Sequence, residues 1–310
     1  MKMKTRLRQC VMVAGGVAWA GIIGVLISSI PIATESKAPR VAEVVERHLA
    51  VADEQAAKGL KTQLVAVREL FSDARSFGTR AFADEALGWE SKWKLTKATL
   101  FGGNEHSQFL QERFATHVFS EKRIEKTIKS AVAAYLRQLD SIESEMLVSL
   151  EADLATASPG EAPVAIDRHA IEVAMDKAVK DAVHAAAADT RGMIAGEVVS
   201  QILGNVLGVA AVELATSSGI LSVGAASGSV TLGVGLVVGL IVDYLVGWIY
   251  QQYYDPAGEL VKQLNNKLTD LETFILVGTS KSPGLEKRLQ DYAARRAQAR
   301  NMAIKAVVLP

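Results

Sequence analysis

The sequence predicts an all-α protein: a membrane-anchored long-helix bundle or coiled coil with a Gly-rich hydrophobic helical hairpin. Three observations predict it. Apolar positions recur at spacings of three and four through long polar stretches, 10–32 carries no charge, and 192–261 carries no Lys or Arg. Composition agrees, because 49% of the 310 residues are apolar and only 22% are charged, which is less polar than an ordinary soluble domain. Lys+Arg and Asp+Glu balance at 34 each, which argues against a general nucleic-acid binder. The single cysteine, Cys10, leaves no intramolecular disulfide to form.

Residues 1–9, MKMKTRLRQ, form a basic terminus with Lys2, Lys4, Arg6 and Arg8 and no acid. The uncharged run 10–32 follows; as a helix it is about 34 Å long, enough to cross a bilayer core. Basic residues ahead of such a run keep the terminus in the cytoplasm. A cleaved signal peptide would have a shorter apolar region and a small-x-small end, whereas this one ends Ile30-Pro31-Ile32-Ala33. The expectation is an uncleaved transmembrane anchor in the plasma (inner) membrane, with 34–191 an extracytoplasmic helical bundle.

Pro39 is placed to start a helix whose apolar positions run Val41, Val45, His48, Ala52, Ala56, Leu60, Leu64, Val67 and Phe71. A second long helix carries Ile124, Ile128, Ala131, Tyr135, Leu139, Ile142, Met146, Leu150 and Leu154. Ser120 is its N-cap, and Phe119 with Ile124 can form a hydrophobic staple. Arg123 stands where a capping box wants Glu. Glu121, Lys122, Lys126, Arg137, Asp140, Glu143 and Glu151 read as the solvated face. Stripes this narrow imply a bundle or a coiled-coil hairpin.

The stretch 77–111 is less regular. Trp89 and Trp93 stand one turn apart and, with Phe82, are expected to form core aromatics at a bend of the bundle. Lys92 and Lys94 beside them also resemble a membrane-surface or anion-binding face. Gly102-Gly103-Asn104 makes a turn. The linker 155–162 (ATASPGEA) and an alanine-rich helix then lead into the long apolar region.

Within 192–261 the only acids are Glu197, Glu213, Asp243, Asp255 and Glu259. The hairpin spans 193–250 and is expected to cross the membrane twice, with a buried core hairpin as the alternative reading. Its second arm, 219–242, is 24 residues without a charge; the first, 193–215, is interrupted by Gln201 and Asn205. Small residues four apart (Gly204 with Gly208, Gly224 with Gly228, Gly235 with Gly239) predict close helix packing of the glycine-zipper kind and self-association in lipid. Tyr244, Trp248, Tyr250, Tyr253 and Tyr254 at the exit read as an interfacial aromatic belt.

The segment 256–310 begins with an amphipathic helix bearing Leu260, Leu264, Leu268, Leu271 and Ile275, broken at Gly278 and Ser282-Pro283-Gly284. Seven basic residues follow, among them Arg296, Arg300 and Lys305, and read as a basic tail. A basic tail favours the cytoplasm, while the leucine stripe wants partners from the first bundle. The stripe decides for three spans in total.

No catalytic, cofactor or metal residue is expected. The five histidines form no zinc-type pair, and every Gly-rich run is embedded in apolar helix. Asn104-Glu105-His106 is the most site-like group and reads equally as the start of a helix. Two functions lead, neither enzymatic, and a third, behind them, is a membrane-bound enzyme whose activity would depend on Glu105 or His106. The first is a membrane-anchored envelope scaffold or interaction module, with the lipid bilayer, a protein partner of unknown identity and further copies of itself as partners. The second is a pore-forming or membrane-remodelling protein with an inserting hairpin. A helical body around a hydrophobic hairpin resembles, in layout, pore-forming colicin domains and the helical pore-forming toxins.

Overall fold

The apolar stripe that begins at Val41 becomes helix α1, Lys37–Gln63, which runs almost unbroken into α2, Val65–Asp73. The structure is a computed structural model and describes residues 37–156, 169–174, 177, 191–217, 234–249, 256–280 and 282–309. Of these, 92% are helical and none lies in a strand. The expected anchor at 10–32 and the linker from 157 onward lie outside the described residues, as does the start of the second hairpin arm.

A π-helical turn at Ala74–Gly78 leads to α3, Thr79–Ala86. Gly78 is required there: a Cβ would stand 2.4 Å from the backbone oxygen of His117. Then come α4, Trp89–Phe101, and α5, Glu105–His117, separated by Gly102 and Gly103 at φ 71° and 136°. The 36-residue α6, Glu121–Thr156, begins as expected, with the Arg123 amide donating to Ser120 Oγ at 3.3 Å. Phe119 and Ile124 are both buried beside that cap.

The two arms of the apolar region are α7, Arg191–Ser217, and α8, Val234–Ile249. Helix α9, Pro256–Leu276, buries the five stripe residues from Leu260 to Ile275 completely. A turn held by Gly278 at φ 88° leads to α10, Leu285–Val308.

Contacts between long helices fix their directions. Gln63 bonds Gln138 and Arg47 pairs with Asp153, so α1 and α6 are antiparallel. Lys305 pairs with Glu46 and Arg300 with Asp53, so α10 lies antiparallel to α1 along the same layer. One apolar cluster fills this layer at the Val41, Leu150 and Ile304 end. The larger core joins α2, α3, α5 and the first half of α6 to α7, α8 and α9.

Several expectations change. The described parts of the arms expected to cross the membrane as a hairpin are core helices: α8 packs against α5, α6, α7 and α9. Among the described residues no helix is long and apolar enough to cross a membrane. An apolar run reads the same whether lipid or other helices cover it. The expected core tryptophans are on the surface, Trp89 82% and Trp93 62% exposed, while Phe82 is buried edge-to-face with Phe114. Glu143, assigned to a solvated face, is 5% exposed because Arg296 reaches it from α10. The basic tail is therefore no tail: Arg296, Arg300 and Lys305 are ion-paired into the bundle.

Candidate membrane-active hairpin

The most apolar described helix, α8, lies where a soluble core would put its least water-tolerant element. Leu240, Ile241, Val242 and Leu245 are at most 6% exposed, although Asp243 between them faces outward. Three consecutive buried residues and a fourth about one turn later leave only a narrow polar seam on a 3.6-residue helix. Its partner α7 buries Val199, Leu203, Val206, Leu207, Ala210 and Leu214 along one side. The exposed residues of α7 that are described, Ser200, Asn205, Val212 and Thr216, carry no charge. The outer faces of α1 and α6, by contrast, are rich in Lys, Arg and Glu. Among the described side chains of this 27-residue helix the charge is confined to the half-exposed Glu213.

The expected packing glycines divide. At Gly208 and Gly239 a Cβ would meet nothing within 4 Å, so neither sits in a close helix contact among the described residues. Gly204 is partly covered; Gly235 lies in the first turn of α8; Gly224 and Gly228 lie outside the described residues. Of the expected interfacial aromatics, Tyr244 is engaged inside the chain, with its hydroxyl 3.3 Å from Gln263 Oε1 and Lys267 Nζ 4.9 Å from its ring centroid. Trp248 packs against the core, and Tyr250, Tyr253 and Tyr254 lie outside the described residues.

Helix α4 was missed by sequence reasoning in its placement. It buries one residue, Ser91, whose Oγ lies 3.0 Å from His106 Nε2. At 2% and 3% exposure this serine–histidine pair has no access for a substrate and works as a seam between α4 and α5. Burial pulls the His106 pKa below its ordinary value. Around the seam, Lys97 pairs with Glu105 at 2.8 Å, and Lys94 and Arg113 both lie over the Phe109 ring. Alternation of Trp and Lys over 89–97 was the available signal.

A groove of about 1120 Å³ between α1, α6 and α10 is lined by Leu60, Leu64 and Leu139 with Arg68 and Glu286 at its edge. Burial pushes the Tyr135 hydroxyl there up to about 12. Among the described residues no cluster of three or more His, Cys, Asp or Glu side chains is placed to hold a metal ion.

No protein-family model, curated protein or solved structure matches this chain.

Proposed function

We propose that this is a membrane-acting helical protein, whose body stores the Gly-rich hairpin α7–α8 and transfers it into a bilayer to form a pore or remodel the membrane. One observation carries the reading: the most apolar helix, α8, is enclosed by the amphipathic helices α5, α6 and α9 and by its own partner arm. Burying each of its large aliphatic side chains contributes about 1.5–3 kcal/mol against water. Lipid tails are as apolar as leucine, so that contribution is kept on transfer and only the close packing is lost. Seventy residues without Lys or Arg, 192–261, impose no basic charge on the crossing. Self-association through Gly235 and Gly239 belongs to the inserted state, and the segment 10–32 would hold the protein at the inner membrane meanwhile. No catalytic step is assigned to it.

The anchored-scaffold reading is favoured by a different observation. Helices α1, α6 and α10 are pinned together by Arg300–Asp53, Arg296–Glu143 and Lys305–Glu46, which makes a stiff layer suited to holding a protein partner. Dye-loaded vesicles separate the two. Purified full-length protein is expected to release a small trapped dye, and protein that binds vesicles without releasing dye would support the scaffold.

A further inference from the structure

We propose that α4 is a docking helix that seats the protein on an anionic lipid surface. This goes beyond hairpin transfer and does not require it, since a body can rest on a bilayer without opening.

Helix α4 is amphipathic the wrong way round. Its one buried residue is a serine, while Trp89, Trp93, Leu100 and Phe101 are 82%, 62%, 70% and 81% exposed. These four residues stand in 13 residues of helix, whereas the other large exposed apolar side chains among those described are scattered along the chain. At 3.6 residues per turn, Trp89, Trp93 and Leu100 fall within about 40° of one another along about 16 Å of helix. Lys92 and Lys97 flank that strip on its two sides, both exposed.

The chemistry of the strip selects lipid over a protein partner. Tryptophan rings with lysines beside them are the residues that settle at the headgroup level of a bilayer. Lys92, Lys94 and Lys97 against Glu90 leave the helix two positive charges in excess, which complements an anionic surface. Two of those lysines already have partners: Lys94 meets Glu90 at 3.0 Å, and Lys97 meets Glu105 at 2.8 Å. Lys97 and Glu105 are both exposed, where such a bridge is weak, while Lys94 is half-buried beside the exposed Glu90. Lys92 has no ion-pair partner among the described residues. The double glycine Gly102-Gly103, both at positive φ, follows the helix and leaves its far end free of a continuous helical strut.

The test places a spin label at Thr96, an exposed residue on the strip, by Thr96→Cys with Cys10→Ser in the full-length protein. The chain is reconstituted into vesicles with or without anionic lipid. A control label at Glu145→Cys on α6 reports a face that stays in water. With anionic lipid, the Thr96 label is expected to lose collisions with a water-soluble relaxant and gain them with oxygen, while the control is unchanged. Replacing Lys92 and Lys97 by Glu should lower the docked-to-undocked ratio by roughly tenfold or more, given the contribution of each basic residue near such a surface. A label equally open to water with and without vesicles would overturn the proposal. So would a label shielded before lipid is added, because a second copy or another segment of this chain would then cover the strip. Equal shielding on uncharged lipid would overturn the electrostatic part. Dye release is a separate readout, so docking and hairpin transfer can fail independently.

Discussion

Ser91 Oγ and His106 Nε2 lie 3.0 Å apart, both buried, and this bond joins the inner side of α4 to α5. The pair couples the surface strip of tryptophans to the helix that packs directly on α8.

That seam should loosen in acid. Burial lowers the His106 pKa from the ordinary 6.5, so the folded state favours the neutral ring more than the unfolded chain does. The stabilising contribution is therefore complete above pH 6.5 and is lost as pH falls from there through the lowered folded value. Melting temperature should drop more over that window in the wild type than in His106→Gln, which keeps a hydrogen-bonding group but cannot take up the proton. Parallel curves for the two proteins would mean that His106 plays no part in acid sensitivity.

Arg296 and Glu143 offer a sharper stability test. The Arg296 side chain is 16% exposed and that of Glu143 6%, so removing one strands the other. Arg296→Met should cost about 3–5 kcal/mol in urea unfolding, as for other broken buried pairs. Adding Glu143→Leu should recover most of it, since an apolar pair of similar volume is often neutral or better. No recovery would show that Asp140, also bonded to Arg296, or the backbone carries the effect.

The glycines should separate fold from function. Gly78→Ala must push on the His117 backbone and should destabilise by about 1–3 kcal/mol. Gly208→Ala and Gly239→Ala meet nothing among the described residues and should each raise stability by up to about 1 kcal/mol through helix propensity. In lipid, Gly235→Leu with Gly239→Leu should weaken any oligomer trapped by crosslinking, because bulk keeps helices from close contact. Unchanged crosslinking would remove self-association from the account.

Much of the helical frame was legible. Leu260, Leu264, Leu268, Leu271 and Ile275 are fully buried because their spacing puts them on one side of a helix, and Ser120 caps α6 because its side chain suits the first free amides. What stayed hidden depended on distant partners. Glu143 looks solvated until Arg296, 153 residues later, is brought beside it. Trp89 and Trp93 suggest a core because tryptophan usually buries, and only the placement of Ser91 turns them outward. Enclosure of α8 was only the alternative reading, since periodicity cannot distinguish a protein wall from a lipid one.

The central claim is that α8 leaves the body for the bilayer, and Gly239 is the place to watch it. Among the described residues a Cβ there meets nothing within 4 Å, so Gly239→Cys with Cys10→Ser can carry an environment-sensitive fluorophore without displacing any of them. Full-length labelled protein should show water-like emission alone. With vesicles, emission should shift to the blue and be quenched by nitroxides deep on the acyl chains, and a label at the exposed Gly247 should report the shallower exit. If protein that pellets with vesicles keeps water-like, unquenched emission at both positions, the hairpin stays in its core and the account is wrong.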